Sequence, residues 1–203
     1  MLKLLRIEKS FGDKRVLDGV SLTVKPGECA MLFGASGCGK TTLLRIAAGL
    51  EKKDAGEVER RGETAVVFAE PRLFPTATVL ENVTAVMRRD KRDKKEAKKK
   101  AEAILNAFGL GGAESLYPSE LSTGMAARVS LARAVAYDAA IYLMDEPFKS
   151  LDVGIKQSVV SYLREFLSDK AVLIISHDSA EAALMGADVY RMENGMLVKP
   201  ENT

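Results

Sequence analysis

The most constraining feature of the sequence is a glycine-rich segment that joins an apolar run to a helix-forming run, "MLFGASGCGKTTLL", residues 31 to 44. It fits the spacing GxxxxGK[ST] in the strand-to-helix context that gives this motif its meaning. Successive backbone N–H groups and the start of a helix can surround phosphate oxygens. A glycine-rich turn before an ordinary capped helix is the alternative. The nucleotide-binding residues expected here are Gly34, Ala35, Ser36, Gly37, Cys38, Gly39, Lys40, Thr41 and Thr42.

Two carboxylates follow the apolar run "AIYLM" and complete a predicted metal site. Lys40 supplies a point charge between the β- and γ-phosphates, and Thr42 can add a phosphate hydrogen bond. Thr41 and Asp145 are the expected Mg²⁺ ligands, and Glu146 is placed to orient the attacking water. Such a carboxylate pair can instead belong to a helix N-terminal turn or a surface loop.

The single histidine, His177, directly follows a second apolar run, "AVLIIS". A lone histidine is often structural. At a strand end beside a nucleotide site, however, it can sense the γ-phosphate. The catalytic residues expected from the sequence are therefore Lys40, Glu146 and His177.

Hydrophobic patterning predicts an α/β fold. The first thirty residues alternate as strands of an antiparallel lobe, and the runs at 140–144 and 171–176 predict parallel strands joined by a helix over 153–168. A helical stretch over 78–137 reads as a subdomain inserted into the core, within a single domain spanning 1–203. After the histidine strand only a hairpin is expected, with its turn at Asn194-Gly195.

The apolar runs, the cysteines and the charge distribution indicate where the chain is located and what it can contact. No apolar run approaches the roughly 20 residues of a membrane-spanning helix, which predicts a cytosolic chain with Cys29 and Cys38 reduced. Residues 88–100, "RRDKRDKKEAKKK", carry nine Lys/Arg against three Asp/Glu, a net +6 in a chain of formal charge +2. This basic run is either a solvated helix face or a contact for nucleic acid or anionic lipid.

The stretch "LYPSELSTGMAARVSLARAV" before the carboxylate strand resembles the signature region of ATP-binding cassette (ABC) ATPases. The resemblance extends in order over nearly the whole chain, including "FAEPRLFPTATVLENV", "LMDEPFKSLD" and "SHD". It is most similar to the ATPases of nitrate, sulfonate and taurine importers. The fold implied is a P-loop NTPase core with a mainly parallel sheet, an N-terminal antiparallel β lobe and a helical insertion.

The resemblance implies an ATPase that works with ATP and Mg²⁺ as a head-to-tail dimer. Ser122, Thr123 and Gly124 would then meet the γ-phosphate held by the opposite subunit. Asp152 would lie at the dimer seam. Phe11 would stack on adenine, although from its residue type alone it could equally be a core aromatic.

The implied partners are a second ATPase subunit, a transmembrane permease and, indirectly, an extracellular substrate-binding protein, with no nucleic acid. The chain would be peripheral on the cytoplasmic face of the cell membrane. One alternative is a soluble ABC protein that acts without a permease as a nucleotide-gated clamp or assembly factor. A small-molecule kinase would share the phosphate loop but leaves "LSTGM" unexplained.

Three positions depart from the family pattern. Ala69 stands where the family has glutamine, Thr123 replaces a signature glycine, and Lys149 replaces a small residue. A β-branched residue restricts the backbone and takes space that glycine leaves open. The resulting hypothesis is slower hydrolysis or weaker coupling than the family norm.

Overall fold

The computed structural model describes residues 1–89 and 94–198, which form two compact units. The first contains residues 1–66, 140–146 and 167–198, and the second contains residues 67–89, 94–139 and 147–166. The strands are β1 (Leu2–Phe11), β2 (Lys14–Val24), β3 (Cys29–Phe33), β4 (Ala55–Arg60), β5 (Thr64–Val67), β6 (Ile141–Asp145), β7 (Ala171–Ile175), β8 (Asp188–Glu193) and β9 (Met196–Val198). The helices are α1 (Lys40–Ala48), α2 (Val79–Thr84), α3 (Lys94–Ala107), α4 (Thr123–Tyr137), α5 (Val153–Phe166) and α6 (Ser179–Met185), with short 3₁₀ turns at Ala85–Arg89 and Pro118–Glu120.

The N-terminal sheet has the order β2-β1-β4, with β1 antiparallel to both neighbours. Leu2 and Leu4 are buried in alternation, as the sequence pattern predicts, and an irregularity in the register between Leu4 and Ile7 leaves Ile7 buried as well. This confirms the antiparallel lobe.

The second sheet has the order β5-β6-β7-β3-β8-β9. The pairs β6–β7, β7–β3 and β3–β8 are parallel, and β8–β9 is antiparallel. Every residue of β6 and β7 is buried, which explains why both read as continuous apolar runs. Because parallel strands end at one edge of a sheet, the residues after β3, β6 and β7 are brought together there. Asn194 and Gly195, both in the left-handed region, form the predicted turn.

The second unit contains the predicted helices around the signature. Helix α2 begins with a capping box between Thr78 and Glu81. Helix α4 begins after Ser122, whose hydroxyl caps the helix by accepting the Met125 N–H at 3.2 Å. No helix in the described part of the chain has both the length and the apolar character to cross a bilayer.

Part of the basic run lies on α3. Lys94, Lys95, Lys98 and Lys99 are exposed, and Lys98 pairs with Glu102 one helical turn away at 3.7 Å. Residues 90–93 of this run lie outside the described residues. The solvated face and the binding surface are both still predictions for this run.

The expectation of only a hairpin after the histidine strand is wrong, because α6 lies between them. Asp178 caps this helix by accepting the Ala180 N–H at 2.9 Å, and Gly186 ends it with φ +64°. With seven residues, α6 is too short to show a clear helical period in the sequence.

Candidate nucleotide-binding site

The loop between β3 and α1 has a backbone that only glycine accommodates at two of its motif positions. Gly34 and Gly39 lie at φ +152° and +109°. A Cβ on Gly34 would stand 2.5 Å from the Met192 carbonyl oxygen, and one on Gly39 would stand 2.8 Å from the Val16 carbonyl oxygen. The glycines are therefore fixed by close backbone approach, and the loop is not an ordinary turn.

Lys40, the first residue of α1, is buried within this loop. Its Nζ donates to the carbonyl oxygens of Gly34 at 2.7 Å and Ala35 at 2.9 Å, and lies 3.8 Å from Cys38 Sγ. The ammonium is thus held inside the curve of the loop, at the position from which a P-loop lysine contacts phosphate oxygens.

Thr41 and Asp145 meet although 104 residues separate them. The Thr41 hydroxyl donates to Asp145 Oδ2 at 3.0 Å, and Asp145 ends β6 with only 9 % of its surface exposed. Burial raises the pKa of Asp145, the nearby Glu146 charge adds to the rise, and the Thr41 hydrogen bond and the Lys40 charge oppose it. A hydroxyl and a carboxylate oxygen are donors that suit Mg²⁺, which completes its shell with waters and substrate phosphates. The donor set therefore fits that ion.

Glu146 and His177 form a second pair at the same sheet edge. His177 Nε2 lies 2.7 Å from Glu146 Oε1. Glu146 is in the left-handed region at φ +48°, and its N–H donates to the Ile175 carbonyl at 2.9 Å. A non-glycine residue there is strained by about 1 kcal/mol or more, and such strain persists where the surroundings impose it, often at functional sites. The alternative of a surface loop is excluded for Glu146, which is largely buried.

These residues share one cleft of about 330 Å³ in the first unit. The predicted site residues that line it are Phe11, Ser36, Gly37, Gly39, Lys40, Thr41, Thr42, Asp145, Glu146 and His177. Lys14, Val16 and Ile175 also line it and were not predicted as site residues. Lys14 and Val16 lie near the start of β2 and Ile175 ends β7, and their residue types indicate only strand positions. Gly34, Ala35 and Cys38 instead line a separate cavity of about 590 Å³ with residues of β8.

Phe11 stands at the rim of the cleft with half of its surface exposed, so the core-aromatic alternative does not hold. The Lys9 ammonium lies 5.0 Å from its ring centroid, a cation–π distance. Lys9 is held by Glu51 at 3.3 Å and Asp54 at 3.2 Å. The ring is therefore an oriented, accessible platform.

The signature residues belong to the second unit. Ser122 and Thr123 are exposed, and Thr123 is the first residue of α4. Because the φ of Thr123 is not positive, its β-branched side chain causes no backbone strain. A Cβ on Gly124 would lie 2.7 Å from the Ser150 carbonyl oxygen, which requires glycine there. Asp152 is exposed, and its carbonyl accepts two N–H groups at the start of α5.

The loop after Ala69 is held by two residues that the sequence did not single out. Asn82, fully buried, accepts the Phe74 N–H at 2.8 Å and donates to three loop carbonyls. Arg133 of α4 donates to the Arg72 carbonyl at 2.6 Å, and its burial lowers its pKa. Phe74 is left half-exposed. Asn and Arg are also common on protein surfaces, so the residue types of Asn82 and Arg133 do not predict that they hold this loop.

The parallel sheet, the glycine loop around Lys40 and the Thr41–Asp145 contact define the class of P-loop nucleotide-binding proteins. Residues 17–149 match the family model described as ABC transporter, and the chain belongs to that family of ATPases. The resemblance and the fold class predicted from the sequence are thereby confirmed.

Relatives and solved structures agree with this assignment. The chain is 40% identical over 193 residues to the aliphatic sulfonates import ATP-binding protein SsuB of Corynebacterium glutamicum, covering 94% of this chain and 79% of that protein. It is 37% identical over 206 residues to a probable sulfate/thiosulfate import ATP-binding protein CysA of Chlorella vulgaris, covering 95% and 87%. The dimeric, post-hydrolysis structure of the ATP-binding cassette MJ0796 with ADP and Pi superposes with a TM-score of 0.89 at 28% identity, covering 100% of both chains.

Proposed function

We propose that this chain, as a single ABC domain, is the ATP-hydrolysing subunit of a membrane importer. The observation that carries the proposal is the cleft itself, which gathers a phosphate loop, a Thr–Asp metal pair and a Glu–His pair at one sheet edge. Phosphoryl transfer to water needs charge stabilisation, a held metal and an oriented nucleophile, and the cleft has a group for each.

Each residue has one task in this proposal. Lys40 leaves the loop carbonyls to neutralise the β- and γ-phosphates, while the loop N–H groups hold their oxygens. Thr41 and Asp145 hold Mg²⁺, which supplies further charge neutralisation on the phosphates. Glu146 accepts a hydrogen bond from the attacking water, and His177 orients Glu146 and reaches the γ-phosphate. Phe11 stacks on adenine.

The signature residues serve a second copy of the chain in a head-to-tail dimer. Ser122 and the Gly124 N–H lie at the start of the 15-residue helix α4, where a free N–H group and the helix dipole favour a phosphate. Asp152 lies at the seam between copies. The dimeric MJ0796 cassette supports this arrangement for a chain of the same fold.

The importer role is supported by relatives named as import ATP-binding proteins. A transmembrane permease is then the partner, with an extracellular substrate-binding protein acting through it. The exposed Phe74, on a loop held by Asn82 and Arg133, offers the permease an apolar contact within a fixed frame. The chain is then peripheral on the cytoplasmic face of the membrane.

The test is steady-state ATP hydrolysis with and without Mg²⁺, comparing the wild type with Glu146→Gln. Since Glu146 orients the water, we expect a loss of roughly 10²- to 10⁴-fold in turnover with ATP binding retained. Glu57→Gln, an exposed carboxylate on β4, is the matched control and should keep the wild-type rate. Equal rates for the two variants would contradict the proposal.

A further inference from the structure

We propose that Ser176 and Glu181 are positioning residues that hold His177 against Glu146 and so set the rate of hydrolysis. Both are buried polar residues of the first unit, 2 % and 4 % exposed, that the chemistry above does not use. The inference rests on the proposed ATPase function and adds to it a hydrogen-bonded bracket around the histidine.

The bracket begins where β7 ends. The Ser176 N–H donates to the Leu32 carbonyl at 3.2 Å, which joins the start of the histidine turn to β3, the strand that leads into the phosphate loop. The Ser176 hydroxyl oxygen accepts the Asp178 N–H at 3.0 Å. The residues before and after His177 are therefore connected to each other across it.

Glu181 closes the bracket from α6. Its Oε2 accepts the Ser176 hydroxyl proton at 2.5 Å, the short length of a charge-assisted O–H···O⁻ bond. A carboxylate taken out of water is costly unless it is hydrogen-bonded, and an apolar residue would fill this space at lower cost. A buried carboxylate at this position therefore points to a task beyond packing.

That task follows from the exposure of the histidine. The ring of His177 is half-exposed, while its Nε2 must stay 2.7 Å from Glu146 Oε1. Packing around the ring supplies little restraint, so the direction of the side chain depends on the backbone at 176–178. A misplacement of about 1 Å between reacting groups lowers rates by up to roughly 100-fold.

The experiment compares variants of the full chain in Mg-ATP hydrolysis, nucleotide binding and thermal unfolding. In Glu181→Ala we expect kcat to fall roughly 10- to 100-fold while KM and the Kd of ATP change by less than about threefold. Glu181→Gln keeps an acceptor oxygen for Ser176 and should recover most of kcat. Ser176→Ala should resemble Glu181→Ala, and Ser176→Thr should resemble the wild type.

Met185→Ala is the matched control for stability. Met185 is buried on α6 and has no part in the bracket, so its truncation destabilises the same helix without touching the hydrogen bonds. It should lower Tm yet leave kcat unchanged at a temperature where every variant is folded. If Glu181→Ala does not fold, the comparison of kcat between Ser176→Ala and Ser176→Thr tests the bracket instead.

The outcomes separate this inference from the function on which it rests. Glu146-dependent turnover in the wild type, together with full kcat in Glu181→Ala or Ser176→Ala, would overturn the bracket and leave the ATPase intact. A fall in kcat for Met185→Ala equal to that of Glu181→Ala would also overturn it. Absence of Glu146-dependent turnover in the wild type would contradict the proposed function itself, and the bracket with it.

Discussion

Removal of the Thr41 hydroxyl gives a pH-dependent loss of stability whose size follows from the contact with Asp145. The hydroxyl donates to a buried carboxylate at 3.0 Å, and a hydrogen bond to a charged group contributes about 1.5–3 kcal/mol. We therefore expect Thr41→Ala to lower the free energy of unfolding by about 1.5–3 kcal/mol at pH 7.5, in the absence of nucleotide.

The pH dependence follows from the pKa of Asp145. Burial already raises this pKa above its ordinary 3.8, and the Thr41 hydrogen bond opposes the rise. Without the hydroxyl the native pKa rises further, so the native state binds its proton at higher pH than the unfolded state does. Stability of the variant then falls more steeply than that of the wild type as pH rises through the native pKa. Near pH 4 the difference should shrink towards the roughly 0.5–1.5 kcal/mol of a neutral hydrogen bond.

Urea unfolding at the two pH values measures both quantities. Thr41→Ser keeps the hydroxyl and should stay near the wild type. Thr42→Ala removes the neighbouring hydroxyl of α1 and is the control for a change in helix propensity. A Thr41→Ser loss equal to that of Thr41→Ala, or a loss independent of pH, would refute the reasoning.

Two further predictions use other positions. Burial raises the pKa of Cys29 to about 12, so at pH 8 a maleimide should label Cys38 many times faster than Cys29. Because Cys38 Sγ lies 3.8 Å from the Lys40 ammonium, Mg-ATP should slow the labelling of Cys38. Labelling is measured by mass spectrometry, and equal labelling of both thiols would count against this prediction. If the family departures slow hydrolysis, Ala69→Gln and Thr123→Gly should each raise the ATPase rate measured by phosphate release, and unchanged rates in both would remove that hypothesis.

The parts of the site that lie in one short segment, or directly at a strand end, could be predicted from the sequence. The phosphate loop is one continuous segment whose glycines are required by backbone approach at Gly34 and Gly39, so its residue types identify it. Asp145 and His177 could be predicted because Asp145 ends one fully buried strand, His177 follows another, and parallel strands end at one edge of a sheet. Ser122 could be predicted as a cap from its residue type alone.

The rest depends on tertiary contacts that leave no local pattern. Lys14 and Val16 line the cleft only because β2 passes beside the phosphate loop. Asn82 and Arg133 hold a loop through bonds to carbonyl oxygens, which any sequence offers. The short helix α6 carried a usable signal in the cap Asp178 before it, which its lack of periodicity obscured.

The central claim, an ATP sandwich of two copies, is tested most directly by the solution mass of Glu146→Gln with and without Mg-ATP. Glu146 lies in the cleft as the residue expected to orient water, so its amide variant should keep ATP in place. Size exclusion with light scattering should show the 22.0 kDa chain alone and about twice that mass with Mg-ATP. A species that binds ATP and keeps the mass of a single chain would contradict the account.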